Sequence, residues 1–337
     1  MSKKILITGA NGFIGSNLVK VALSKKFRVN VLIRKDSNIE NLKKFQKKIK
    51  IYYGDIKKID TLYEPIKSSE VIFHVAADYR LWSRKYSEIY ETNVFGTENI
   101  CNVVASLNKK LVYTSSVATL GLQPNVVSDE ATPTKFNEIT GHYKKSKYLA
   151  EQIVLKFFKK KNLDVVIVNP STPIGAGDIK PTPTGKIILD VLRNKMPAFV
   201  ETGLNFVHVE DIAIGHLLAL KYGVKGERYL LGGENLEFKD FLDYISDFAG
   251  VPKVNIKLNP SYLYFFAYIN EFLAKYILQS SPNFTVDGLK MSEKKMFFSS
   301  EKAKKKLHYR PRPVKDAIKD SVRWMKENFD TSGRLIS

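Results

Sequence analysis

Apolar and polar positions follow two rhythms along the chain. Short runs rich in β-branched and aromatic residues occur at 3–8, 28–33, 50–53, 70–75, 109–114 and 163–168. Between them lie longer stretches, notably 13–23, 83–107 and 142–161, in which apolar residues return every three or four positions. The first rhythm predicts strands and the second predicts amphipathic helices. Strands that alternate with helices imply right-handed crossovers and a sheet covered on both faces. Val165-Val166-Ile167-Val168 is apolar throughout, as suits a strand buried on both sides. The expected fold class is α/β, a doubly wound parallel sheet.

The pattern changes after Pro170. Residues 171–204 bring Pro173, Gly175, Gly177, Pro181, Pro183 and Gly185, then a helical segment. A strand at 206–209 and a helix at 211–220 are expected to return to the sheet. Further helices are expected at 238–248, 262–278 and 313–328. This organisation predicts a nucleotide-binding domain over 1–172, rejoined by 205–222, and a smaller substrate domain from 173–204 and 223–330.

Composition narrows the class. At 337 residues, with 44% hydrophobic and 26% charged side chains, the chain is ordinary globular protein. One cysteine, Cys101, excludes an intrachain disulfide and points to a reducing compartment. The apolar run at 5–7 is too short for a signal peptide, and no run reaches the roughly 18 residues of a membrane span. The cytoplasm is the expected location. The net charge of +20 comes mostly from lysines scattered over the whole length, with only ten arginines. Nucleic-acid readers gather charge on one face and favour arginine, so a solvated lysine surface is expected and no nucleic-acid partner. Five histidines without an acidic or cysteine cluster predict no metal.

Candidate chemistry begins at Gly9-Ala10-Asn11-Gly12-Phe13-Ile14-Gly15, between the first strand and the first helix. Gly9 permits a tight turn, Gly12 lets backbone approach a pyrophosphate, and Gly15 lets the helix pack closely on the sheet. The helix N-terminus then offers N–H groups and a positive dipole end to the phosphates. Arg34 and Lys35 end the second strand, where an NAD-binding chain usually carries an acid. They suit a 2′-phosphate, so NADP(H) is favoured and NAD(H) is the alternative, with Arg34 then stacked on adenine. Asp55, followed by Ile56, is placed to accept from the adenine amino group or to cap a helix.

A second signal is Tyr143 with Lys147, four apart on a predicted helix and therefore on one face. A cation about 4 Å from the phenol contributes roughly 4 kcal/mol at an effective dielectric of 20, or about three pK units. That would bring Tyr143 into a working range. Ser116, at the end of the fifth strand, is placed to orient a substrate oxygen for proton exchange with Tyr143.

With these motifs, the chain resembles the extended short-chain dehydrogenases/reductases over essentially its whole length. Further matches are Gly54-Asp55-Ile56, His74-Val75-Ala76-Ala77, Asn93 with Gly96-Thr97, and Phe206 to Asp211. The segments from Ala77 to Trp82 and Asn169 to Pro173 are similar to the hopanoid-associated sugar epimerases, close to dihydroflavonol-reductase-like proteins. The resemblance implies a Rossmann-type domain and a catalytic set of Ser116, Tyr143 and Lys147. It also implies that Asn93 joins a proton relay, and that Ala76, Ala77, Pro170, Ser171 and Thr172 line the nicotinamide side. Long helices at 83–107 and 142–161 resemble those that pair in dimeric relatives, so a homodimer is expected.

Two departures bear on the reaction. Val117 and Ala118 stand where 4,6-dehydratases carry an Asp-Glu pair, which disfavours dehydration. Leu204 stands where many nucleotide-sugar epimerases carry a pyrophosphate-gripping arginine. The favoured reading is NADP(H)-dependent reduction of a carbonyl. An NAD-retaining sugar epimerase and a non-catalytic nucleotide sensor are the alternatives. Arg80, Trp82 and Asn169 are candidate substrate contacts, with surface pairing the bland role for Arg80. The aromatic-rich stretch 262–278 reads as a buried or lid helix. Its functional alternative is a mouth for an apolar or lipid-linked small molecule, or peripheral contact at the inner membrane face.

Overall fold

The computed structural model describes residues 3–123, 126–276 and 286–336. Six strands form where the apolar runs predict them: β1 (Lys4–Thr8), β2 (Arg28–Ile33), β3 (Ile49–Tyr53), β4 (Val71–His74), β5 (Lys110–Thr114) and β6 (Val165–Pro170). Three short strands follow, β7 (Thr172–Ile174), β8 (Phe199–Val200) and β9 (Gly203–His208). The last are β10 (Arg228–Leu231), β11 (Glu234–Glu237) and β12 (Lys257–Leu258). The main sheet is parallel, in the order β3-β2-β1-β4-β5-β6-β10. Chain direction of growth reverses between β1 and β4, which opens a crevice at their carboxyl ends.

Period-two alternation sorts the core into two faces. Ile5 and Ile7 point toward the helices Phe13–Ser24 and Val209–Tyr222, packing with Leu18, Val19 and Ile212. Leu6 points the other way, into a cluster with Ile100, Val104, Ala150 and Val154 of the helices Gly96–Ser106 and His142–Lys161. A third cluster lies in the later part of the chain, where Phe206 and Phe241 stack at 4.1 Å beside Ile188 and Val322.

The strand expected at 206–209 does not join the main sheet. As β9 it pairs with β7 and β11, and β10 supplies the seventh main strand instead. Its alternation explains the difference: Val207 faces the main core and Phe206 faces the third cluster, so the strand is buried between two bodies. The helix after it does pack on the main sheet. The helix expected at 83–107 is shorter and interrupted: Ser87–Tyr90, a π-type turn Glu91–Phe95, then Gly96–Ser106. A Cβ at Gly96 would lie 2.7 Å from the Ile56 side chain, so this close seat fixes where the second part begins. The aromatic helix runs Pro260–Tyr276, and the last two positions of its expected range lie outside the described residues. Ala267 is buried against Val286 and Leu289, whereas Phe265 and Tyr268 face outward.

Two histidines are sealed beside the sheet. Thr8 Oγ1 accepts from the N–H groups of Val75 and Ala76, so its own proton goes to His74 Nδ1 at 2.8 Å. His74 Nε2 then donates to Thr97 Oγ1 at 3.1 Å. His216 donates from Nδ1 to the Ile212 carbonyl at 2.8 Å and accepts from Thr114 Oγ1 at Nε2. Burial pushes His74 down to about 3, helped by the Lys147 charge, and His216 down to about 4. An unfolded chain binds both protons near pH 6.5, so below that pH the unfolded state gains protons that the native state refuses. Stability therefore falls as pH drops from about 6.5 toward 4. Urea midpoints should decline across that window, and a folded His216→Gln variant should lose a slope of up to about 1.4 kcal/mol per pH unit. An unchanged slope would mean that His216 is not held neutral.

Candidate active site

The glycine turn sits at the crevice. Gly9 adopts φ +67°, and a Cβ there would lie 2.6 Å from the Ala76 Cα. The turn thus rests directly on the chain leaving β4. A Cβ at Gly15 would lie 2.1 Å from the Gly9 carbonyl oxygen. Gly15 was expected to pack the helix on the sheet; its tightest contact is with the turn itself, which it locks. Gly12 is the N-cap of the twelve-residue helix and brings no side chain to it, so no side chain competes for the first N–H groups at Phe13 and Ile14. Asn11 donates to the Asn38 carbonyl at 3.0 Å.

The next positions lie along the same edge. Arg34 is exposed, with Nε 3.7 Å from Asp36, and Lys35 is also exposed. Asp55 accepts from the Lys57 N–H at 2.9 Å in a local turn; the N-cap of the short helix that follows is Lys58, not Asp55. Ile56 is buried against Gly96, and its carbonyl accepts from Asn99 at 3.0 Å. Ala76 and Ala77 follow β4 and are half-buried. Pro170 closes β6, and Thr172 opens β7. Ser171 between them is buried, and its hydroxyl finds no partner among the described residues.

Tyr143 and Lys147 lie on the helix His142–Lys161, which packs on β5 and β6 through Ala150 and Val154. The Tyr143 phenol faces Ser116, whose Oγ accepts from the Ala118 N–H at 3.1 Å. Burial raises the phenol above its ordinary value, and the Ser116 contact opposes this. Lys147 Nζ donates to the Thr114 carbonyl at 2.8 Å and to the Tyr113 hydroxyl at 3.3 Å. This corrects the expected electrostatics: the ammonium is held by β5, and the phenol is not lowered by it. Burial brings Lys147 down to about 8, against the pull of Glu151.

Other candidates have their side chains engaged within the protein. Asn93 donates to the Asp78 carbonyl at 2.8 Å and to Ser146 Oγ at 2.9 Å, and accepts from the Asp78 N–H at 2.7 Å. Its side chain braces the loop after β4 against the helix His142–Lys161. Asn169, a candidate substrate contact, is fully buried and donates to Ser116, Thr119 and Glu151, so it faces the hydroxyl turn instead. Arg80 is gripped by Asp78 and Glu88, the pairing role. Trp82 is half-buried in the irregular segment before Ser87. His142 stacks on Tyr86 at 3.8 Å. Cys101 is buried in a helix, with its thiol pushed up by burial, which removes it as a nucleophile.

Glu151 escaped the sequence reading. It is fully buried and accepts from Ser115, Thr119 and Asn169, with Arg228 at 3.3 Å on its other oxygen. The signal was available: 143, 147 and 151 repeat at four residues, and a carboxylate in the buried stripe of a helix needs partners. A strap beyond β7 was also missed. Gly175 and Gly177 take φ +141° and +98°, and Asn17 and Asn41 donate to the carbonyls of Ala176 and Gly177 at 3.2 and 3.0 Å. From the opposite side, Asp320 accepts from the Ala176 N–H. Among the described residues no cluster of histidine, cysteine or carboxylate could hold a metal, and no helix is long and apolar enough to cross a membrane.

Known proteins share this arrangement. Residues 5–232 match the NAD dependent epimerase/dehydratase family. A putative dihydroflavonol 4-reductase of Synechocystis is 39% identical, covering 97% of this chain and 96% of its own. Sterol demethylase protein B of Methylococcus capsulatus is 27% identical, covering 96% and 98%. The crystal structure of gox2253 superposes with a TM-score of 0.87 at 44% identity, covering 99% of this chain and 100% of its own. The chain is therefore an enzyme of the NAD dependent epimerase/dehydratase family, within the extended short-chain dehydrogenases/reductases.

Proposed function

We propose that the protein reduces a carbonyl group with NADP(H), Tyr143 acting as the proton donor. The observation that supports this reading is the Tyr143 phenol, raised above its ordinary value by burial and facing Ser116. A phenol held in its acid form suits protonation of a developing alkoxide better than abstraction of a proton. Ser116 orients the carbonyl oxygen toward it. Lys147 adds a buried positive charge beside this pair and an ammonium for the cofactor ribose.

The residues present fit a dinucleotide. The Gly9–Ala76 contact leaves a turn with no side-chain bulk, and the helix N-terminus behind Gly12 has no side-chain cap. Gly12, Phe13, Ile14 and Gly15 would hold the pyrophosphate, with Asp55 and Ile56 beside the adenine. Arg34 and Lys35 would take a 2′-phosphate, and Ala76, Ala77, Pro170, Ser171 and Thr172 would flank the nicotinamide. The buried, unpartnered Ser171 hydroxyl supports that placement. When bound, the nicotinamide exchanges a hydride with the substrate carbon.

For the substrate, we infer an apolar or aromatic small molecule. The aromatic helix turns Phe265 and Tyr268 outward, and Leu204 packs into the third cluster instead of offering a charge to a pyrophosphate. The likeness to a dihydroflavonol reductase and a sterol-modifying protein supports the same class. A homodimer through the helices Gly96–Ser106 and His142–Lys161 belongs to this reading. A second reading, an epimerase that retains NAD, draws on the strap: side chains on both sides of the crevice clip it shut. Nucleotide released on denaturing the purified protein separates the two, since near-stoichiometric NAD would favour retention.

Oxidation of NADPH at 340 nm should be followed with a dihydroflavonol, a 3-oxosteroid and simple aryl ketones. Tyr143→Phe is expected to lower kcat by about 10²–10⁴-fold while NADP⁺ affinity stays within about threefold. Full activity in that variant would sink the proposal. Replacing Arg34 and Lys35 together by alanine should weaken NADPH binding by about 100-fold and leave NADH binding nearly unchanged. Equal losses for both cofactors would instead place Arg34 on the adenine.

A further inference from the structure

The buried stripe of the catalytic helix continues past Lys147 to Glu151, a carboxylate with no exposure to solvent. Its Oε2 accepts from Ser115 Oγ, from Thr119 Oγ1 at 3.0 Å and from Asn169 Nδ2 at 3.0 Å. Its Oε1 faces Arg228 at 3.3 Å. The same two groups reach Ser116: Asn169 Nδ2 lies 3.0 Å and Thr119 Oγ1 2.9 Å from the Ser116 carbonyl oxygen, the single Thr119 proton being shared between that carbonyl and Glu151.

Orientation of the Asn169 amide is the telling detail. Its nitrogen directs two hydrogens among three acceptors at 3.0 Å, while its oxygen is buried and finds no partner among the described residues. Turning the amide over would set its oxygen against the Glu151 carboxylate and the Ser116 carbonyl, acceptor against acceptor. The negative charge therefore selects the donor-inward orientation, and that orientation pins the Ser116 backbone.

We propose that Glu151 is a positioning residue for the reaction, fixing Ser116 through Asn169 and Thr119 and balancing the buried charge of Lys147. This rests on the reading of Ser116, Tyr143 and Lys147 given above. The groups around the ammonium leave Glu151 as its counter-charge. His74 on β4 is neutral, Tyr113 on β5 is held protonated by burial, and so is Tyr143 on the same helix. Arg228 on β10 faces the far oxygen of the carboxylate. Burial has already brought Lys147 down to about 8, and Glu151 resists that fall. Loss of the carboxylate should let the ammonium release its proton at lower pH.

Glu151→Gln and Thr119→Val test this with NADPH and whichever carbonyl the wild-type protein reduces. Glu151→Gln should lower kcat about 10–100-fold with KM within about threefold, and move the alkaline limb of the kcat profile down by about one pH unit. Thr119→Val keeps the charge, so it should lower kcat and leave that limb in place. A Glu151→Gln protein with kcat within about twofold and an unmoved limb overturns the proposal. Should Glu151→Gln fail to fold, unchanged kcat in Thr119→Val overturns it. A wild-type protein that reduces no carbonyl defeats the proposed function and leaves this inference to a second readout. ¹³C-lysine NMR, with Lys147 assigned through Lys147→Arg, should show Lys147 titrating at lower pH in Glu151→Gln, and coincident curves would overturn it.

Discussion

The backbone of Gly9 lies against the backbone of Ala76, and the whole site depends on that approach. A Cβ at Gly9 would fall 2.6 Å from the Ala76 Cα, nearer than side-chain carbons ever come. Because β1 and β4 are neighbours, the two chains leave the sheet side by side before parting toward opposite faces. The glycine lets them stay in contact, and Thr8 ties them with two N–H bonds. The helix N-terminus behind the turn is thereby aimed along the crevice, with its first backbone N–H groups left free of any side-chain cap.

Around that crevice, ionisable groups are taken out of water in a linked set. His74, Lys147, Tyr113 and Glu151 are all buried, and each has hydrogen-bonding partners. Lys147 and Glu151 sit among neutral groups, with Arg228 3.3 Å from the carboxylate, and such partners are how a protein tolerates buried charge. The catalytic helix supplies both, at 147 and 151, and the carboxyl ends of β5 and β6 supply the neutral partners. The consequence for Tyr143 is indirect. Burial raises its phenol, and the contact that opposes this comes from Ser116 rather than from the ammonium.

The later part of the chain is joined to the main-sheet body through β9 and the strap. β9 turns Val207 into the main core and Phe206 into the third cluster, so neither body is complete without it. His208 ends β9 and donates toward Asp320 at 3.4 Å, while its Nδ1 accepts from the Glu210 N–H. Asp320, held down to about 2 chiefly by His208, also receives the Ala176 N–H of the strap. The Asp320 carboxylate thus links the last long helix, the strap and the start of the helix Val209–Tyr222.

The sequence by itself determined the sheet, its first six strands, the glycine turn and the placing of Tyr143 and Lys147 on one helix. These rest on local periodicity, on backbone freedom at Gly9 and on helical spacing, all of which are properties of neighbouring residues. Tertiary structure decided the rest. Whether 206–209 extended the main sheet depended on which bodies would flank it, and both of its faces are apolar. Where the helix near 83–107 began depended on Ile56 seating against Gly96. The partners of Lys147, Asn93, Asn169 and Glu151 come from strands and loops far away in sequence. A charge four residues from a phenol can lower it only if nothing closer claims the charge, and the Thr114 carbonyl lies closer. Spacing along a helix fixes which side chains share a face; what that face meets is settled by packing.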